Sequence, residues 1–184
     1  MESSDYKFIK GYKHIPYYSE SFSDEEMIKR SKSFFKWLDQ RRSVREFSDR
    51  SVPKEVIENI IRSASTAPSG ANKQPWTFCA ISNSALKTQI RKAAEIEEEE
   101  NYKNRMSVRW KKDLESLGTD MNKPFLEIAP WLIVVFKKPF DIVDGEKKQN
   151  YYVNESVGIA VGFAAGYFSH GHRCRRSGHR AYSR

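Results

Sequence analysis

Trp131-Leu132-Ile133-Val134-Val135-Phe136 runs without a polar residue directly after Pro130. Such a run predicts a strand buried on both faces, and hence a sheet covered by helices. Toward the N-terminus, residues 76–82 mix β-favouring and apolar types and read as a second strand. Helical patterns fill most of the remainder. Ser23-Asp24-Glu25-Glu26 is a capping box, and Met27, Ile28, Ser31, Phe34, Phe35 and Leu38 mark one face of the helix it opens. A second helix begins about Pro53, carries Val56, Ile57, Ile60, Ile61 and Ala64 as its apolar stripe, and stops before Pro68. A third starts near Ser84 and runs into the acids Glu95, Glu97, Glu98, Glu99 and Glu100. It continues over Met106, Trp110, Leu114 and Leu117 to a stop at Gly118. Asp144-Gly145 marks a turn. The last helical pattern, residues 151–168, places Gly158, Gly162 and Gly166 four apart. Glycine costs about 1 kcal/mol relative to alanine inside a helix. Three on one face therefore ask for the close approach of another helix, across a dimer, with a loosely packed local helix as the alternative. The expected class is α+β.

Composition supports one globular domain. Apolar residues make up 39% and charged residues 30% of the 184, which excludes a disordered chain. Cys79 and Cys174 are the two cysteines, too few for a disulfide framework, so a reducing compartment is expected. The opening Met1-Glu2-Ser3-Ser4-Asp5 has neither the basic start nor the apolar stretch of a signal peptide. No apolar stretch reaches the roughly 20 residues of a membrane span. The chain as given is expected to be soluble and cytoplasmic. Net charge is +8, but five of those charges are arginines in 169–184, a segment with no acid, so residues 1–168 carry only +3. The basicity belongs to the tail, and nucleic acid is not an expected partner of the body. The expected organisation is an arm over 1–22, a domain over 23–168 and a basic tail over 169–184.

Two stretches carry chemistry. Arg41-Arg42-Ser43-Val44-Arg45 offers three guanidiniums and a hydroxyl in five residues, a set able to bind a phosphate bidentately. A solvated basic helix end is the alternative. Pro68-Ser69-Gly70-Ala71-Asn72-Lys73-Gln74-Pro75-Trp76 is a tight turn leading into a strand, and its Ser-Gly-Ala portion is slim enough for a flat ring to lie against the backbone. Together they suggest a phosphorylated, planar cofactor.

The combination of Arg41-Arg-Ser-Val-Arg45, Pro68-Ser-Gly-Ala71, Gln74-Pro-Trp76 and Glu98-x-x-x-Tyr102 resembles the nitroreductase superfamily of FMN enzymes. Glu97–Arg105, Lys123 ahead of Ala129-Pro130, and Tyr151-Tyr152 with Asn154-Glu155 narrow the resemblance to the flavin-dependent reductive dehalogenases of halogenated tyrosines. It extends over residues 14–168. The resemblance implies a nitroreductase-like fold and a homodimer with FMN at the subunit interface. It further implies removal of iodide from mono- and diiodotyrosine, with electrons that originate with NADPH and arrive through a partner reductase. It implies that Arg41, Arg42, Ser43, Val44 and Arg45 hold the FMN phosphate, ribityl chain and pyrimidine edge, and that Ser69 and Gly70 line the isoalloxazine. Ala71 would sit where flavin and substrate meet, and Glu98, Tyr102 and Lys123 would recognise the amino-acid end of the substrate. No protein nucleophile and no metal are implied. The physical reading runs parallel: a zwitterion needs an anion for its ammonium and a cation for its carboxylate, and Glu98 with Tyr102 four residues on would share a helix face. The alternatives are a solvated acidic face for Glu98 and a core position for Tyr102.

Two features depart from that pattern. Animal members of the group carry an N-terminal membrane anchor, and none opens this chain. Members also continue past position 168 into further core strands, a threonine that bonds the flavin N5, a late arginine on the phosphate and an arm around the partner. Residues 169–184 match none of these. The expectation is a fold incomplete at its C-terminus, its tail read from another frame or exon. The alternative functions are therefore a general FMN nitroreductase or flavin reductase, or an inactive truncated isoform. His170, His172, Cys174 and His179 could be read as a metal group, without a recognised spacing, and the charge as a nucleic-acid or membrane arm.

Overall fold

The computed structural model describes residues 6–171. The metal and basic-arm readings of the tail rest on side chains that lie outside the described residues. Among the described ones, no group of His, Cys, Asp and Glu is arranged to hold a metal, and no helix is long and apolar enough to cross a membrane.

The chain forms two compact units, one ending at Asp39 and one beginning at Gln40. In the first, β1 (Lys7–Ile9) pairs antiparallel with β2 (Tyr12–His14) in the register Lys7↔His14. Lys10 and Gly11 connect them at φ 52° and 82°, the double left-handed turn whose twist suits a two-residue hairpin. The segment expected as a plain extended arm thus contains a hairpin, because Gly11 makes the turn accessible. Helix α1 (Asp24–Asp39) opens as the capping box predicts, with Ser23 Oγ accepting the Glu26 N–H at 3.3 Å. It buries no residue, and Phe34 and Phe35 of its apolar face are exposed.

The second unit is built on α2 (Lys54–Ser65), β3 (Trp76–Ile81), β4 (Leu132–Lys137) and α6 (Val153–Gly171). Ile57, Ile60 and Ala64 fall at i, i+3 and i+7, so one stripe of α2 is buried. Val157 and Ala160 of α6 are buried with Trp76 and Ala67, and Phe78, Val135 and Val153 pack against this cluster. Strand pairing is antiparallel, and its register puts Phe78 opposite Val135. Each is partly buried, the arrangement in which cross-strand apolar pairs stabilise a sheet. The expectation of a strand buried on both faces is corrected: the first four residues of β4 are half-buried, and Phe136 and Lys137 are exposed. Only β3 pairs with β4 among the described residues, so its apolar run is covered unequally. The turn at Asp144-Gly145 joins β5 (Phe140–Val143) to β6 (Glu146–Gln149) as a third antiparallel pair.

The third helical pattern is interrupted where the sequence suggested continuity. Helix α3 (Ser84–Glu100) is capped by Asn83, whose Oδ1 accepts the Leu86 N–H at 2.9 Å. It then widens into a π turn over Asn101–Arg105, closed by the Met106 N–H donating to the Asn101 carbonyl at 2.9 Å. Met106 is extended, and α4 (Val108–Glu115) starts afresh under a Ser107 cap. Gly118 ends this stretch at φ 58°, as a C-terminal glycine does. The short α5 (Phe125–Ile128) follows and lies against α3.

Candidate active site

Helix α3 and its π turn hold the segment 119–129 by a row of side chains one or two turns apart. Lys87, almost fully buried, donates from Nζ to the Glu127 carbonyl at 3.0 Å and to the Ala129 carbonyl at 2.7 Å. Thr88 donates to Glu127 Oε1 at 2.7 Å, and Arg91 Nη1 to Glu127 Oε2 at 3.0 Å. Glu95 Oε1 accepts both the Arg91 Nε–H at 2.8 Å and the Lys123 main-chain N–H at 2.7 Å. These contacts leave a charge imprint. The Thr88 hydroxyl and the Arg91 guanidinium hold the Glu127 carboxyl below the usual carboxylate range. Arg91 and the Lys123 amide do the same for Glu95. Arg91 in turn is raised, chiefly by its hydrogen bond to Glu95 and then by Glu127.

At the far end of this row stand the predicted substrate residues. Lys123 Nζ faces Glu98 Oε1 at 3.5 Å, with side chains 18% and 32% exposed. It also donates to the Asp120 carbonyl at 2.8 Å. Tyr102, in the π turn, donates from its hydroxyl to the Thr119 carbonyl at 3.1 Å, so it clamps the start of the same segment. The other acids of the run are occupied locally: Glu97 pairs with Arg105, Glu99 with Lys103, and Glu100 accepts from Asn104 at 2.8 Å. Glu98 alone of these four reaches across to Lys123. That distinction separates it from a solvated acidic face. At 3.5 Å the pair is an ion pair without a tight hydrogen bond, so a ligand bearing both charges can part it.

The turn at Ser69–Trp76 forms a second centre. Ser69 Oγ accepts the Gln74 N–H at 2.8 Å, and Gln74 Nε2 donates to the Ser65 carbonyl at 3.2 Å. These bonds hold Ala71, Asn72 and Gln74 at φ 50°, 53° and 46°, left-handed values that non-glycine residues seldom adopt. At Gly70 a Cβ would stand 3.1 Å from Tyr152 Cδ2 and 3.5 Å from the Tyr151 carbonyl, so the absent side chain lets the 151–152 backbone approach. Arg41, Arg42, Ser43, Val44 and Arg45 lie in an exposed segment without helix or strand. Arg42 Nη1 donates to the Arg41 carbonyl at 2.8 Å. The guanidiniums of Arg41 and Arg45 have no ion-pair or hydrogen-bond partner among the described residues.

Sequence reasoning located Glu98, Tyr102 and Lys123, which the fold draws together, but not the residues that fix them. Arg91, Glu95, Glu98 and Tyr102 follow one another at four, three and four residues, a spacing that marks one helix stripe and was the available signal. Thr119 and Glu127 carried none. The expected sharing of a face by Glu98 and Tyr102 is modified by the π turn, which sends the Tyr102 hydroxyl to Thr119. A cleft of about 720 Å³ lined by Phe47, Asp49, Lys87, Arg91, Glu127 and Pro130, among others, contains none of the sequence-predicted residues.

The chain belongs to the nitroreductase family, whose model matches residues 38–164. Iodotyrosine deiodinases are among its relatives within that family. It is 58% identical over 150 residues to the iodotyrosine deiodinase of Haliscomenobacter hydrossis, covering 81% of this chain and 68% of that one. To iodotyrosine deiodinase 1 of Homo sapiens it is 47% identical over 150 residues, covering 81% and 52% respectively. A crystal structure of oxidized iodotyrosine deiodinase bound to FMN and 3-iodo-L-tyrosine matches with a TM-score of 0.64 and 32% identity, over 74% of this chain and 68% of that one. The chain spans about half the length of the animal relatives it matches.

Proposed function

We propose that the protein is an FMN-dependent oxidoreductase that removes iodide reductively from mono- and diiodotyrosine. The observation that carries this reading is the loose Glu98–Lys123 ion pair, reached by one acid of an otherwise locally paired run. The exposed guanidiniums of Arg41 and Arg45, unpaired among the described residues, suit a phosphate, with Arg42, Ser43 and Val44 completing its cradle. Ser69 and Gly70 form a slim, rigid turn against which a planar ring fits, beside Ala71 on the substrate side. The residues present therefore fit FMN.

The Lys123 ammonium takes the substrate carboxylate and Glu98 takes the substrate ammonium, so each protein charge exchanges one partner for another. Tyr102 keeps the 119–123 segment in place while this happens. Held over the bound phenol, that segment excludes water and keeps the halogenated ring in a fixed orientation. When bound, FMN supplies the electrons by which the ring's iodine is replaced with hydrogen. Those electrons originate with NADPH and arrive through a partner reductase. A homodimer is part of the same reading: a Cβ at Gly158 or Gly162 would meet nothing within 4 Å, which leaves that face of α6 open to a second copy. The unpaired, half-buried Cys79 suits a reducing, cytoplasmic setting.

Titration of the purified protein with FMN, followed by visible absorption and fluorescence, tests this directly. Near-stoichiometric uptake, quenching on addition of 3-iodo-L-tyrosine, and iodide release after reduction are the expected results. A protein that takes up no FMN sinks the reading. Turnover of nitroaromatics with no preference for iodotyrosine would replace it with a general nitroreductase.

A further inference from the structure

We infer that Glu95 is a positioning residue for the zwitterion site, holding the Lys123 main chain so that the Lys123 ammonium stands where a substrate carboxylate meets it. This rests on the dehalogenase reading above. One oxygen, Glu95 Oε1, accepts from the Lys123 N–H at 2.7 Å and from Arg91 Nε at 2.8 Å. Arg91 extends its Nη1 to Glu127 at 3.0 Å, so a single guanidinium links Glu127 at one end of the 123–127 segment to Glu95, which holds the other end. The chain of contacts runs Glu127–Arg91–Glu95–Lys123, and its last member is the cation of the site.

Charge arithmetic makes the arrangement specific. Glu95 lies three residues before Glu98, close enough for its carboxylate to compete for the Lys123 ammonium. Arg91 engages that carboxylate and turns its oxygen toward the amide instead. The site then presents one available anion, Glu98, and one available cation, Lys123, matched to the two charges of an amino acid. A charged acceptor on a main-chain N–H is among the stronger hydrogen bonds, and a small displacement of the ammonium weakens its hold on a carboxylate disproportionately.

The test uses the full chain loaded with FMN, the variants Glu95→Gln and Glu95→Ala, and Glu58→Gln on α2 as a remote control. Before substrate is added, amide hydrogen exchange at Lys123 should speed up by about tenfold in Glu95→Ala, less in Glu95→Gln, and not in the control. In turnover, the KM for 3-iodo-L-tyrosine should rise by about tenfold with kcat little changed. The KM for 2-iodophenol, which lacks the amino-acid end, should stay put. Gln keeps an acceptor oxygen and should rescue part of the loss. Unaltered exchange at Lys123, or equal losses with both substrates, overturns the inference and leaves the dehalogenase reading intact. A wild-type protein that does not prefer iodotyrosine to 2-iodophenol overturns the reading itself, and this inference with it.

Discussion

The two regions proposed to meet ligands are built in opposite ways. Arg41–Arg45 is a cluster of charge within five consecutive residues, exposed and with two guanidiniums unpaired among the described residues. Glu98 and Lys123 are 25 positions apart and meet only because α3 and its π turn clamp the 119–129 segment through Lys87, Thr88, Arg91, Glu95 and Tyr102. The first region leaves its charged groups in solvent. The second fixes two charged groups against each other. Preorganised groups in a partly dry setting discriminate among ligands, whereas exposed charges attract them with an energy that salt screens.

The largest effect should follow from breaking the organised side. Lys123→Ala removes the proposed carboxylate partner and leaves Glu98 without its counter-ion. A hydrogen-bonded charge contact contributes about 1.5–3 kcal/mol. The KM for 3-iodo-L-tyrosine should rise by about a hundredfold at the upper end of that range, with the KM for 2-iodophenol nearly unchanged. Steady-state kinetics on both substrates checks this, and a parallel rise in the two would place Lys123 outside substrate recognition.

On the exposed side the expected effect is smaller. Arg45→Ala or Arg41→Ala should weaken FMN binding by about tenfold at low ionic strength, because either guanidinium leaves the other two in place. The loss should shrink as salt rises toward a Debye length of about 8 Å, whereas the Lys123→Ala penalty should persist. Fluorescence titration with FMN across a salt series measures the first trend, and the KM for 3-iodo-L-tyrosine over the same series measures the second. Equal salt dependence for the two variants would erase the proposed contrast between the regions.

Legibility in the sequence divides along the same line. Arg41–Arg45 and the Ser69–Trp76 turn could be read because their chemistry is local, and the α2 stripe of Ile57, Ile60 and Ala64 because helical periodicity exposes it. The capping box at Ser23 and the stop at Gly118 were legible for the same reason. The π turn was not: the two asparagines of Asn101-Tyr-Lys-Asn-Arg105 weaken helix propensity without specifying a ladder shift, which shows only in the backbone. The half-buried state of β4 was also hidden, since an apolar run reports what a strand tolerates and not how many neighbours cover it. Glu95 illustrates the remaining gap. It looked like one more acid in an acidic run, and only the fold shows that it faces the Lys123 amide while Glu97 and Glu99 pair along their own helix.

Acid titration gives the finest test of the contrast. Glu95 and Glu127 have folded-state carboxyls held below the ordinary glutamate value of about 4.3, Glu95 chiefly by Arg91 and Glu127 chiefly by Thr88 with Arg91 second. A carboxyl depressed on folding contributes stability that is fully present above its unfolded pKa and is lost as pH falls through its folded value. Protection of amides in 120–127 should therefore hold from neutral pH down to about 4.3 and decline progressively below it. The effect is modest, because both carboxylates are partly solvated and such pairs are weak. Asp141, depressed by Lys138 and then Asn150, should impose a similar decline on the β5–β6 hairpin. Residues 41–45 contain no carboxylate and have no such source of acid sensitivity of their own. Hydrogen exchange between pH 5 and pH 3, corrected for intrinsic rates, separates the three segments. Flat protection over 120–127 would mean that Glu95 and Glu127 do not hold the segment, and that Lys123 owes its place to packing alone.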